Sequence, residues 1–240
     1  MATTFLTAEW RKLIMAQYAV APATLAPWLP RGVELDLFQN RCYVSLVGFL
    51  FDRVRVLGLP IPFHTRFEEV NLRFYVARTE PDGTRRRGVV FIREFVPRTA
   101  ITLIANALYE EPYATLPTRS SIIPSPDSLS VEYAWKHTGS WQSLAVEASP
   151  EQQPIAAGSE EEFLTEHYWG YTKRRDGSTS VYEVRHPRWN IYPLSSHTID
   201  TELGALYGPA FAHLDGAKPS SVLLAEGSAV SVHSGTSLKA

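Results

Sequence analysis

The residues best suited to chemistry lie between Phe67 and Tyr113. The run Phe67-Glu-Glu-Val-Asn-Leu-Arg-Phe-Tyr75 carries Glu, Asn and Arg among apolar neighbours. Arg93-Glu94-Phe-Val-Pro-Arg98 and Tyr109-Glu-Glu-Pro-Tyr113 follow it. An unpaired charge inside an apolar strand loses several kcal/mol of hydration, so such groups pair with one another or line a polar cavity. With strand alternation, Glu68, Val70, Leu72, Phe74 and Val76 form one mostly apolar side; Phe67, Glu69, Asn71, Arg73 and Tyr75 form the other. Two readings of that second side stand. It is a solvated ladder in which Glu69 pairs with Arg73, or a concave wall on which Asn71 and Arg73 receive an acidic or carbonyl ligand, because guanidinium binds carboxylate bidentately.

Arg93 and Glu94 sit between Val89-Val-Phe-Ile92 and Phe95-Val96, on a strand too apolar to be an exposed edge. Their side chains alternate, so each needs its own partner, for Arg93 a carboxylate of Glu69, Glu110 or Glu111. A second strand, from Phe163 to Lys173, places His167, Trp169, Tyr171 and Lys173 on one face. That face is either a cavity wall for a small polar ligand or a set of core partners for Tyr182 and Trp189. The candidate proton carriers are Glu94, Glu111 and His167. The candidate ligand-binding residues are Asn71, Arg73, Arg93, Arg98, Tyr113, Trp169 and Tyr171.

Standard reaction motifs are missing: there is no G-x-S-x-G elbow, Walker A loop or G-x-G-x-x-G turn. None of the seven histidines forms H-x-H or H-E-x-x-H, and a single cysteine, Cys42, cannot build a thiolate zinc site, so neither metal nor cofactor is expected. A formal net charge of −2 gives no electrostatic reason to expect nucleic acid or an anionic membrane as partner. No apolar run approaches the roughly 20 residues of a membrane span, and the start of the chain lacks a signal-peptide pattern. With no internal disulfide available, the expected setting is the cytoplasm.

The elements that must position these residues are mostly strands. Strands are expected over Lys12–Val20, Val33–Phe38 and Arg41–Val56, the last two as a hairpin around Gln39-Asn40. Further hairpins are expected across Asp82-Gly83, Thr138-Gly139 and Asp176-Gly177, with a strand from Trp189 to His197 and a closing strand from Ser221 to Val232. Short helices are expected over Ala21–Leu29, Pro97–Tyr109, Ser159–Thr165 (a capping-box start) and Asp200–Leu214, the last broken at Gly208-Pro209. No linker divides the 240 residues, so residues 1–240 are read as one domain. The fold class expected is mainly β (α+β): a curled or partly closed antiparallel β-barrel or cone with a few short helices.

Several segments together resemble the YqjF-like proteins, a family of unknown function in the acetoacetate decarboxylase-like superfamily. They are Leu29-Pro-Arg-Gly-Val-Glu-Leu-Asp36, Tyr43-Val-Ser-Leu-Val-Gly-Phe49, Pro62-Phe-His64, the strand Phe67–Val76, His167-Tyr-Trp-Gly-Tyr171 and His186-Pro-Arg-Trp189. The resemblance implies a curled antiparallel structure around a cone-shaped cavity. In the decarboxylase an Arg-Glu strand leads through a proline to a lysine pair, one of which forms a Schiff base with a β-keto acid. Arg93-Glu94 and Pro97 match that pattern, but Arg98 follows, and a guanidinium that stays protonated cannot form an imine. Of the lysines at 12, 136, 173, 218 and 239, only Lys12, beside Ile14, Ala16 and Tyr18, could turn inward.

Two functions remain. One is an enzyme acting on a small organic acid or carbonyl compound without a Schiff-base lysine. The other is a non-catalytic pocket for a small or lipophilic ligand, with Phe74, Trp169 and Tyr171 in its wall. Either way the partner is a small molecule, and the chain is a monomer or homo-oligomer.

Overall fold

The structure is a computed structural model that describes residues 3–99 and 112–238. A long first strand β1 (Thr4–Val20) leads through a short helix α1 (Pro22–Leu25) and a 3-10 turn to β2 (Glu34–Leu35) and β3 (Cys42–Val56). After the edge piece β4 (Leu59–Pro60) come β5 (Phe67–Thr79), β6 (Arg85–Val96), β7 (Tyr113–Thr115) and β8 (Thr118–Pro124). The hairpin β9 (Leu129–His137) and β10 (Ser140–Ala148) precedes β11 (Gln153–Pro154) and helix α2 (Glu160–Thr165). Then follow β12 (Trp169–Lys173), β13 (Thr179–Arg185), β14 (Asn190–Tyr192), β15 (Leu194–Asp200) and helix α3 (Leu203–Tyr207). A 3-10 segment, Pro209–Leu214, leads to β16 (Ser221–His233) and β17 (Thr236–Leu238).

Among the described residues, thirteen strands form one sheet whose main path is β11-β14-β16-β1-β3-β5-β6-β12-β13-β17. Most neighbours are antiparallel; β12 and β7 each run parallel to β6. The sheet curls until β13 meets β16, a contact of two residue pairs, Val184 with Val232 and Arg185 with Ser231. The contact of β12 with β6 is equally short. These brief seams make it a curled sheet rather than a closed barrel. A separate four-stranded sheet, β15-β10-β9-β8, packs on it.

Alternation divides the core in two. Ile14, Ala16, Leu46, Leu72 and Phe74 point to one side, where Tyr133, Trp135 and Leu144 of the second sheet meet them. Leu13, Met15, Val47, Phe49 and Tyr75 point to the other side, towards Phe163 of α2 and Trp189. The apolar side of β5 therefore packs between the sheets, and its polar side faces the second cluster.

Several elements depart from the sequence-based expectation. The hairpin around Gln39-Asn40 shrinks to one bridge, Phe38 to Arg41. β3 begins only at Cys42, so β2 pairs instead with the far end of β5, Glu34 with Ala77 and Leu35 with Val76. The strand expected over Trp189–His197 splits at Pro193, which has no amide hydrogen to continue a ladder. Its first part joins the large sheet and its second the small one. The helix expected over Pro97–Tyr109 lies, from residue 100 on, outside the described residues. The capping box at Ser159 forms as expected, with Ser159 Oγ accepting from the Glu162 amide at 3.2 Å. Among the described residues no helix is long and apolar enough to cross a membrane.

Candidate functional site

Seven successive strands around the curl contribute to one pocket of about 170 Å³: β1, β3, β5, β6, β12, β13 and β16. The pocket therefore opens on the concave face. Its polar wall comes from β5 and its neighbours and consists of Glu69, Asn71, Arg73, Glu94, Tyr113 and His167. Those on β5 are the face that reads as either solvated or concave from sequence, and their burial excludes the solvated ladder. Glu69 is 2% exposed, Asn71 1%, Glu94 1% and Arg73 8%.

A bulge explains which residue of Arg93-Glu94 faces inward. Leu72 pairs with Arg93 but Arg73 with Phe91, so β6 holds one extra residue there. Bulges re-aim side chains, and this one turns both Phe91 and Glu94 into the pocket. Arg93 is exposed on the other side, where its Nη1 donates to the Leu206 carbonyl of α3 at 3.1 Å. It is committed, as expected, but to a backbone oxygen rather than to Glu69. Arg98 is exposed as well and does not line the pocket. Glu110 and Glu111 lie outside the described residues.

The carboxyl groups of Glu69 and Glu94 are hydrogen-bonded to each other. Such a contact requires a proton between them. Asn71 Nδ2 donates to Glu69 Oε1 at 2.9 Å and the Tyr113 hydroxyl donates to Glu69 Oε2 at 3.1 Å. The parallel pairing of β7 with Glu94 of β6 is what brings Tyr113 there. Burial pushes the Glu69 carboxyl up to about 7, against the opposing pull of these hydrogen bonds and of Arg73.

Arg73 lacks what a buried cation ordinarily has. Its Nη2 points to Met15 Sδ at 3.8 Å, its Nε has no hydrogen-bond partner, and among the described residues it forms no ion pair. The Tyr75 ring centroid lies 5.9 Å from the guanidinium.

His167 is held from behind. Its Nε2 lies 3.1 Å from Asp36 Oδ2, and Asp36 also accepts from Arg87 Nε at 2.7 Å and Arg85 Nη2 at 3.1 Å. The His167 imidazole and the Arg87 guanidinium hold the Asp36 carboxyl well below the usual carboxylate range, although burial opposes them. Burial lowers His167 to about 4, outweighing the carboxylate beside it. The ring is therefore neutral at pH 7, with Nε2–H donating to Asp36 and Nδ1 left without a partner. Tyr75 and Phe163 flank it at 4.8 and 5.2 Å.

His167 does not share its face with the residues after it, because β12 begins only at Trp169. Trp169 reaches the pocket edge, but its ring lies under the Arg86 guanidinium at 4.3 Å and packs towards the inter-sheet core. Tyr171 is a buried member of that core and does not line the pocket; Phe74 belongs there too. Neither stands in the wall expected for a lipophilic ligand, because both side chains point to the inter-sheet side of their strands. Asp36, Glu69, Trp10, Phe49 and Phe51 were not singled out as site residues. Glu69 carries a signal as a charge on the polar side of the Phe67 strand, and Asp36 and Phe49 as the ends of two segments shared with the resembling family.

None of the described lysines lines the pocket. Lys12 sits at a bulge with φ 54, and its amine turns to Tyr192 and Glu226 rather than inward. Among the described residues no cluster of His, Cys, Asp and Glu could hold a metal ion.

A concave curled sheet with a small packed sheet and few helices is the fold of the acetoacetate decarboxylase-like proteins. The acetoacetate decarboxylase of Legionella pneumophila superposes with a TM-score of 0.66 at 14% identity, over 99% of this chain and 88% of that one. The enduracididine biosynthesis enzyme MppR complexed with pyruvate gives 0.68 at 15%, over 100% and 92%. An acetoacetate decarboxylase-like enzyme of Sphingomonas wittichii RW1 gives 0.66 at 12%, over 99% and 94%. Identities this low establish the fold alone. The chain belongs to the DUF2071 family, described as an uncharacterized conserved protein, whose model matches residues 7–229. It is 24% identical over 185 residues to the uncharacterized protein YqjF of Bacillus subtilis, across 75% of this chain and 72% of that protein.

Proposed function

We propose that this chain binds a small organic acid in the pocket, with the carboxylate on Arg73, and that Glu69 and Glu94 move a proton on the bound molecule without a Schiff-base lysine. The observation that carries the reading is Arg73, a guanidinium more than nine-tenths buried with no ion pair among the described residues. Burying a charge without its partner costs several kcal/mol, and a ligand carboxylate would supply the two oxygens that the guanidinium fork fits. Asn71 would orient the ligand. The Glu69–Glu94 pair holds a proton near neutral pH, which suits a general acid or base. The fold neighbour complexed with pyruvate is in keeping with a small acid as ligand.

Thermal denaturation with a panel of small carboxylic acids, and with the matching amides, tests this. Acids raise Tm, amides do not, and Arg73→Gln abolishes the shift. A ligand at a hundredfold its Kd stabilises by about 2.7 kcal/mol. Amides that stabilise as well as acids would remove the anion from the proposal.

The second reading, binding without chemistry, draws on the aromatic wall of Trp10, Phe49, Phe51 and Phe67. Turnover of a bound acid in the wild type, lost in Glu94→Gln with binding retained, separates the two.

A further inference from the structure

The pocket has two chemically different ends, and ladder geometry sets their separation. Across the β3–β5 ladder, Asn71 stands opposite Val47, Glu69 opposite Phe49 and Phe67 opposite Phe51. At about 3.3 Å per residue from the level of Arg73, opposite Ser45, Phe49 lies about 13 Å and Phe51 about 20 Å along the strand. The lining continues past it to Val54 and to Val56, which pairs with Leu6 of β1. The carboxyls and the guanidinium, Glu69, Glu94 and Arg73, all stand at the first end, with His167. From the level of Glu69 outwards the wall is Trp10, Phe49, Phe51 and Phe67, packed edge to face, tilted or stacked at 4.8 to 5.9 Å. The ionisable group at the outer end is His64, whose Nδ1 lies 2.7 Å from the Pro62 carbonyl.

A ligand no larger than a two-carbon acid would fill the polar end and leave the aromatic wall facing water. A purely apolar ligand would cover the wall and leave Arg73 without a counter-charge. We infer that the ligand class is an amphipathic carboxylic acid, a carboxylate at Arg73 carried on an alkyl or arylalkyl chain long enough to lie along Phe49 and Phe51. This rests on the reading of Arg73 as the anion site. It goes beyond that reading by specifying what the carboxylate is attached to. Chain and head are recognised by different residues, Trp10, Phe49, Phe51 and Phe67 for the chain and Arg73 for the head, so the two contributions separate experimentally.

The test is calorimetric titration of the wild-type protein with butyrate, hexanoate, octanoate and octanol. Affinity is expected to rise about fourfold per added methylene, the equivalent of ~0.8 kcal/mol for each buried CH₂. Octanol is expected to bind at least tenfold more weakly than octanoate. Phe49→Ala should lower the affinity for octanoate and leave that for butyrate within twofold. Equal affinities for butyrate and octanoate would overturn the amphipathic class while leaving the anion site intact. Octanol binding as tightly as octanoate would overturn the anion site itself. No binding of any of the acids would overturn both. The chain-length series needs no variant, so a misfolded Phe49→Ala protein does not rescue the inference.

Discussion

Glu69 is a carboxyl held where a charge is least tolerated, and its titration is visible in stability. In the unfolded chain it releases its proton near the ordinary carboxylate value of 4.5; in the folded protein burial holds the proton up to about 7. The folded state thus binds more protons in between, so this contribution to stability is present below the lower value and lost as pH rises through the upper one. His167 acts in the opposite sense, because its folded value of about 4 lies below the ordinary imidazole value of 6.5; its contribution is lost as pH falls through that interval. Wild type and variant must therefore be compared at the same pH. Glu69→Gln should flatten the decline of the urea midpoint between pH 5 and pH 8. An unchanged decline would show that Glu69 titrates as an ordinary surface group. At this scale the sequence is informative where a polar or charged residue interrupts apolar ones, as at Glu69, Asn71, Arg73 and Glu94. It is silent on the choice between Arg93 and Glu94, since the bulge that turns one inward is set by pairing with β5. Asp36 is equally hidden, because nothing local says that two arginines and a histidine from distant segments converge on it.

Among the elements, β1 and β16 are shaped by a pair of irregularities. Between Arg11 and Ile14 the first strand carries an extra residue relative to β3, with Lys12 at positive φ. The Tyr133 hydroxyl of the small sheet donates to the Lys12 carbonyl at 2.9 Å and pins that bulge. Opposite Arg11 stands Gly227, at φ 80, where a Cβ would lie 2.0 Å from the Trp10 carbonyl oxygen. Trp10 lines the pocket, so the glycine sets the position of one wall. Gly227→Ala should cost at least ~1–3 kcal/mol from backbone strain alone, read as a lower urea midpoint. It should also weaken ligand binding by displacing Trp10; a variant of wild-type stability would refute the close approach. The hairpin turns were readable because glycine supplies the positive φ that tight turns demand, as at Gly83, Gly139 and Gly177. Short strands such as β7 and β8 were not. β7 takes its place from β6 across an intervening segment, and β8 pairs with β9 through a turn, Ser125–Ser128, that has no glycine to mark it.

At the scale of the whole molecule, the placement of lysine amines argues against imine chemistry. Lys12 is held by Glu226 and Tyr192, Lys173 donates to the Pro27 carbonyl at 3.0 Å, and Lys136 and Lys218 are exposed. Lys239 lies outside the described residues. An imine-forming lysine needs a neutral amine, obtained by burial in an apolar or cationic setting, and none of the four described has one. Incubation with acetoacetate and borohydride should leave the intact mass unchanged; a stable adduct lost in Lys12→Ala would reverse this. The curled architecture was readable from hairpins in sequence order, whereas the second sheet was not, since one continuous strand signal, Trp189 to His197, feeds both.

The pairing of β1 with β16 has a temporal side. Thr4 meets His233 and Gln17 meets Ser221, so the first long strand finds one of its two neighbours more than 200 residues later. During synthesis at about 5–20 residues per second, β1 waits for that neighbour with one edge unsatisfied. Contacts so distant in sequence carry a large loop-closure cost and slow the final step. The waiting edge includes Leu13, Ile14 and Met15, an apolar run that a ribosome-associated chaperone would have reason to cover until β16 emerges.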